Sequence, residues 1–209
     1  HGKTTSTSML SEVFLTNELD PTISVGGFYK STNGRIGESE YFITESCEYF
    51  DSFLKFFPYV GVILNVEADH LDYFKDLDQI LDSFNKFSSN INKNGALIIN
   101  KTIKGFEKIV DNINCNIITF GDKSSTYYAD NIRYNNFGIA TYDIYKNNKK
   151  ISEISLSVPG YHNVLNSLAV IAACEYLDIE IDKITNGIQN FKGTDRRFQF
   201  KGKLNDATK

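Results

Sequence analysis

The sequence lacks the features that would place it in several large functional classes. It has no tryptophan, and its abundance of Asn, Lys and Ile reflects codon usage more than chemistry. No apolar stretch approaches the roughly 20 residues of a membrane span, and the first residues lack the basic-then-apolar order of a secretion signal. Positive charge is not in excess: the formal net charge is −4 and the pI is near 5.4. Nucleic acids and anionic membranes are therefore not expected as partners, since both call for a basic patch. Cysteine is sparse. Cys47, Cys115 and Cys174 are odd in number, widely spaced and outside any Cys-x-x-Cys pattern, which argues against a disulfide framework and a zinc site and for a cytoplasmic protein. Internal repeats and low-complexity tracts are absent, and 209 residues suit one large domain.

The most informative segment is the first. His1-Gly2-Lys3-Thr4-Thr5 reads as the second half of a phosphate-binding loop. In such loops backbone N–H groups wrap the phosphates, the lysine reaches the terminal phosphates, and the hydroxyl after it ligates Mg²⁺. The glycines that open the motif would precede His1, so the chain is expected to be a fragment that starts inside a nucleotide site. Met9, Leu10, Val13 and Phe14 recur at helical spacing, which predicts a helix over residues 4–15 with its N-terminus facing the ligand.

Beyond it the pattern alternates. Strands are expected at 22–25, before Gly26-Gly27, and at 41–44, ending at Glu45. Residues 59–66 are apolar on both faces, the pattern of a buried parallel strand near the sheet centre. A crossover helix follows at 77–91, with Ile80, Leu81, Phe84 and Phe87 on one face, then a strand at 96–100, a helix at 103–110 and a strand at 116–120. This order predicts right-handed βαβ units and a mostly parallel sheet flanked by helices. Between 126 and 158 alternating residues broken by Asn135-Asn136 and Asn147-Asn148 predict a small antiparallel β meander with tight turns. Helices at 163–177 and 182–189, the second capped by Asp182, and a strand at 197–204 complete the expected α/β fold.

All three histidines, His1, His70 and His162, fall in segments with a chemical pattern. Glu67-Ala68-Asp69-His70-Leu71-Asp72 follows the buried strand, and ligands of open α/β sheets bind beyond the carboxyl ends of such strands. Its carboxylates and imidazole suit a divalent ion; a solvated acidic loop is the alternative. Glu45-Ser46-Cys47-Glu48 ends another strand at the same expected edge. His162-Asn163 with Asn166 opens a helix, where the amides could read an adenine edge or merely cap the helix. Gly193-Thr194-Asp195-Arg196-Arg197-Phe198 places two guanidinium groups after a glycine, suited to phosphoryl charge or simply to a basic surface.

In this order the segments resemble the central ATPase domain of the Mur ligases over nearly the whole chain. The resemblance rests on five stretches: 1–5, 45–54, 65–72, 159–166 and 193–198. His1, the Glu-Ala-Asp-His run and the Arg-Arg-Phe run point within the family to the branch that adds L-alanine to UDP-N-acetylmuramate; the sibling that recycles cell-wall tripeptide shares much of the pattern. The resemblance implies peptidoglycan precursor synthesis with ATP and Mg²⁺ as cofactors. Gly2, Lys3, Thr4 and Thr5 would bind the phosphates, and Thr4, Glu45 and His70 the metal ions. Asn163 and Asn166 would hold adenine, Arg197 would contact the phosphates, and Lys3, His70 and Arg197 would be the catalytic set. One departure is Glu-Ser-Cys-Glu-Tyr-Phe at 45–50 in place of Glu-Ala-Asp-Glu-Ser-Asp, which leaves the role of Glu48 open. The UDP-sugar and C-terminal domains of such a ligase are not in the chain, so the piece alone is expected to fold but not to catalyse. A nucleotide-hydrolysing switch module and a non-catalytic binding domain are the alternatives from the residues alone.

Overall fold

A computed structural model describes residues 1–29, 32–67 and 73–194. The expected strand at 197–204 and the residues His70 and Arg197 lie outside the described residues.

Among the described residues, helices cover both faces of a six-stranded sheet of order β4-β5-β6-β7-β8-β9. The strands are β4 (Val60–Ile63), β5 (Ala96–Asn100), β6 (Asn116–Gly121), β7 (Tyr127–Tyr134), β8 (Ile139–Lys146) and β9 (Lys149–Pro159). β4 to β7 pair in parallel, and β8 and β9 add antiparallel. The meander thus extends the parallel sheet instead of forming a separate layer. A second sheet of order β2-β1-β3 joins β1 (Thr22–Tyr29), β2 (Thr32–Arg35) and β3 (Phe42–Thr44).

The alternation of β5 explains the layering. Ala96 and Ile98 enter one apolar cluster, Leu97 and Ile99 the other, and each is completely buried, because successive side chains point to opposite faces. The first cluster is closed by α1 (Lys3–Thr16), α4 (Tyr161–Tyr176) and α5 (Ile181–Asn190), the second by α2 (Leu77–Ser89) and the short α3 (Phe106–Ile109). Tyr142 is buried in the first cluster with its hydroxyl 2.6 Å from Ser167 Oγ.

Several sequence expectations are corrected. Among the described residues the doubly apolar strand does not sit at the sheet centre: β4 is an edge strand of the six, and its neighbour β5 is buried along its length. A run apolar on both faces reports cover above and below, not lateral position. β1 does not stop before Gly26-Gly27 but runs through both glycines. The helix expected from 103 begins only after Gly105, whose φ is +85°. In α5 the N-cap is Glu180, and Asp182 sits inside the first turn. The Asn pair at 147–148 forms the expected two-residue hairpin turn, with φ of 50° and 63°, the left-handed values that such turns require.

Candidate functional site

The N-terminus of α1 sets the geometry. Gly2 caps the helix with φ +85°, and a Cβ there would lie 2.7 Å from Asn166 Oδ1 and 3.2 Å from Leu64. Glycine is thus required twice, by conformation and by space. The first turn of α1 carries no acidic residue, so its free N–H groups and the positive end of its dipole remain open to an anion.

β3 delivers its carboxylate to this helix end. Glu45, one residue beyond the strand, accepts a hydrogen bond from the Thr4 hydroxyl at 3.3 Å through Oε1, and the same oxygen accepts from the Gly26 N–H. A side chain at Gly26 would occupy the place of that oxygen, and one at Gly27 would lie 3.0 Å from the Thr4 methyl. Consecutive glycines inside a strand mark such close approach; that is the signal by which sequence could have brought β1 into the site. The other carboxylate oxygen, Glu45 Oε2, is buried and has no hydrogen-bond partner. An ionised oxygen is costly to leave so. Beside the Thr4 hydroxyl it makes an all-oxygen pair that fits a hard divalent cation, which typically takes one or two carboxylates and completes its shell with phosphate and water.

Lys3 Nζ is 2.7 Å from Glu48 Oε2, and both groups are partly exposed. Glu48, whose role the altered sequence context had left open, is thereby placed beside Lys3. His1 is tied down by a reciprocal pair: its backbone amine donates to Asn65 Oδ1 and its carbonyl accepts from Asn65 Nδ2, both at 2.8 Å. Leu64, which follows β4, is held in turn by Asn100, whose Nδ2 donates to its carbonyl at 3.2 Å. The His1 ring lies 3.6 Å from Glu67, and because both side chains are largely exposed the contact has little energetic weight.

Asn163 and Asn166 are almost fully buried, with Asn166 against Gly2. Asn163 Nδ2 donates to the Pro159 carbonyl at 2.8 Å, and Asn166 Nδ2 donates to Asn163 Oδ1 at 3.1 Å. Tyr161 and His162, at the start of α4, are the exposed residues of this turn. The structure therefore brings Gly2, Lys3, Thr4, Glu45, Glu48 and Asn166 to one rim, with Thr5 half-exposed in the first turn of α1. Among the described residues, no group of three or more His, Cys, Asp or Glu side chains could hold a metal, and no helix is long and apolar enough to cross a membrane.

This fold and rim define the class: an α/β domain of the phosphate-loop NTPase type. Residues 1–174 match the Mur ligase middle domain, and the chain belongs to the Mur ligase family. It is 50% identical over 204 residues to a UDP-N-acetylmuramate–L-alanine ligase of Clostridium kluyveri, covering 97% of this chain and 45% of that protein. A protein of the same name from Clostridium botulinum is 50% identical over 210 residues, covering 100% and 46%. The crystal structure of UDP-N-acetylmuramate-alanine ligase from Thermotoga maritima superposes with a TM-score of 0.85 at 29% identity, over 97% of this chain and 45% of that one. A UDP-N-acetylmuramate:L-alanyl-gamma-D-glutamyl-meso-diaminopimelate ligase from Neisseria meningitides gives 0.83 at 26%, over 94% and 65%. The chain thus spans about half the length of the relatives it matches.

Proposed function

We propose that the chain is the ATP-binding middle domain of a cytoplasmic ligase that joins L-alanine to the lactyl carboxylate of UDP-N-acetylmuramate in peptidoglycan precursor synthesis. The observation that carries the reading is the meeting of Lys3, Thr4 and Glu45 at the N-terminus of α1, with one buried carboxylate oxygen left unpartnered. The sugar nucleotide and the amino acid would be bound by domains outside this chain, and the piece by itself would not catalyse.

In this reading the β- and γ-phosphates of ATP lie over the first turn of α1. They take Lys3 over from Glu48; the exchange is favourable because a partly exposed ion pair is worth only ~1 kcal/mol or less, whereas the triphosphate brings several charges. Thr4 and Glu45 would hold Mg²⁺, which supplies charge neutralisation between the triphosphate and the incoming carboxylate. His70 would hold a second ion and Arg197 would contact the phosphates. Asn163 and Asn166 would support the adenine side, with Asn166 also buttressing Gly2.

The carboxylate oxygen attacks the γ-phosphorus, the bond to the β-phosphate oxygen breaks, and ADP leaves an acyl phosphate. The alanine amine then attacks the acyl carbon, the C–O bond to phosphate breaks, and the amine gives up a proton. The residues of this chain contribute mainly positioning and charge stabilisation. In the full-length protein, phosphate release from ATP should require both UDP-N-acetylmuramate and L-alanine. Release without either would favour a hydrolytic switch, and preference for a tripeptide acceptor would favour a peptide ligase such as the one from Neisseria, whose structure is also similar to this chain.

A further inference from the structure

After Glu48 the backbone makes a strained turn. Phe50 and Asp51 follow one another in the left-handed region, with φ of 52° and 53°, a conformation that costs energy in any residue with a Cβ. Such strain persists only where the surroundings enforce it, and here the Asp51 carboxylate does so. Its Oδ2 accepts from the Tyr73 hydroxyl at 2.8 Å, and its Oδ1 accepts from the Ser83 hydroxyl of α2. Aromatic rings close the same gap: the Phe50 centroid lies 4.3 Å from that of Tyr49 and 4.9 Å from that of Tyr73. Two residues further on, Phe53 is buried and stacks on Phe87 of α2 at 5.1 Å. The turn is thus anchored to the helical layer opposite α1.

Its other end meets Lys3. The Asp51 N–H donates to the Glu48 carbonyl and the Phe53 N–H to the Cys47 carbonyl, both at 3.0 Å. Residues 47–53 therefore form one hydrogen-bonded unit, and it carries the Glu48 carboxylate to 2.7 Å from Lys3 Nζ. We propose that Asp51 is a positioning residue of the phosphate site: by bracing this unit it holds Glu48 on Lys3 as a resident anion with which a nucleotide must compete. The proposal rests on the nucleotide reading of the N-terminus of α1. Charge decides the sign of the effect. A phosphate that takes over Lys3 finds the negative charge of Glu48 beside its own, and like charges a few ångströms apart repel. With the unit braced, Glu48 cannot withdraw by a shift of its backbone, so it weakens the hold on ATP and on the product ADP and recaptures Lys3 as ADP leaves. With the brace removed, the carboxylate moves off and nucleotide binds more tightly.

The test is calorimetric titration of the full-length protein with ADP in the presence of Mg²⁺, on the unsubstituted protein, Glu48→Gln, Asp51→Gly and the double variant. Glycine takes a left-handed φ without strain, so Asp51→Gly removes both hydrogen bonds and leaves the turn its backbone conformation. Glu48→Gln should tighten ADP binding by about tenfold and Asp51→Gly by about threefold, and the double variant should bind no more tightly than Glu48→Gln alone, because Asp51 acts through Glu48. Tyr73→Phe, which takes away one of the two donors, should tighten it by about twofold. The sign separates positioning from damage, since a variant that merely loosened the fold would bind more weakly. The proposal is overturned if Asp51→Gly binds ADP as the unsubstituted protein does or more weakly, or if its effect persists in full beside Glu48→Gln. Weakened binding by Glu48→Gln also overturns it, because the carboxylate would then present Lys3 to the nucleotide instead of competing for it. No ADP binding by the unsubstituted protein would sink the nucleotide reading itself, and this proposal with it.

Discussion

Replacing Gly187 with alanine sets two opposed effects against each other. Gly187 is buried in α5, where that helix crosses α1. A methyl group there would lie 2.6 Å from Val13 Cα, 3.0 Å from its Cγ2 and 3.1 Å from its Cβ. Alanine in a helix gains ~0.8–1.0 kcal/mol over glycine. Against that, carbon contacts normally relax at about 3.5–4.0 Å, the nearest atom is backbone, and Val13 itself is completely buried. α5 would have to move off α1 by about 1 Å, and overpacking of this kind costs ~1–3 kcal/mol. Packing wins, leaving Gly187→Ala less stable by up to ~2 kcal/mol, or up to about 4–8 °C in Tm for a domain of this size. The exposed neighbour Asn186 is the control: Asn186→Ala has only the propensity gain and should raise stability by ~0.5 kcal/mol. Urea denaturation of the two variants beside the parent chain measures both. A Gly187→Ala protein as stable as the parent, or more so, would refute the reasoning, because propensity would then have outweighed the contact with Val13.

Two further outcomes follow from the buried and charged groups. Tyr142→Phe removes the hydroxyl that meets Ser167 in the core; it should lower stability by ~1 kcal/mol in urea unfolding, while Ser167 keeps its bond to the Val164 carbonyl, and an unchanged midpoint would show that the buried bond contributes nothing. Several aspartates are held below the ordinary value of 3.8: Asp20 by the Glu38 N–H and Arg35, Asp143 by Asn131 and Lys150, Asp130 by Lys123. Because these folded-state values are depressed, their stabilisation is present above the unfolded value and is lost as pH falls through the folded ones. The urea midpoint should therefore be level above about pH 5 and fall below about pH 4; a midpoint that begins to fall near pH 6 would implicate other groups.

Much of the architecture is written in local pattern. The periodicity of Met9, Val13 and Phe14 gave α1, the Asn147-Asn148 pair gave its hairpin turn, and the meeting of Lys3, Thr4 and Glu45 at one strand-end rim follows from the rule that strand ends carry sites. What local pattern did not hold is lateral order. Whether β4 is central or outermost depends on which strands pair beside it, and nothing within residues 60–63 encodes that. Gly105 cut α3 short because its left-handed φ starts the helix only after it. Glu48 could not be assigned from spacing, since its partner Lys3 is 45 positions away, and the burial of Asn163 and Asn166 depends on how α4 docks against Gly2.

The central claim is that Thr4 and Glu45 form one metal-bearing phosphate site with Lys3. The most direct measurement is the Mg²⁺ dependence of phosphate release by the full-length protein carrying Glu45→Gln, which keeps the side chain's size and its capacity to accept from Gly26 but removes the charge. The half-saturating Mg²⁺ concentration should rise by about tenfold or more. A Mg²⁺ dependence identical to that of the unsubstituted protein would contradict the assignment.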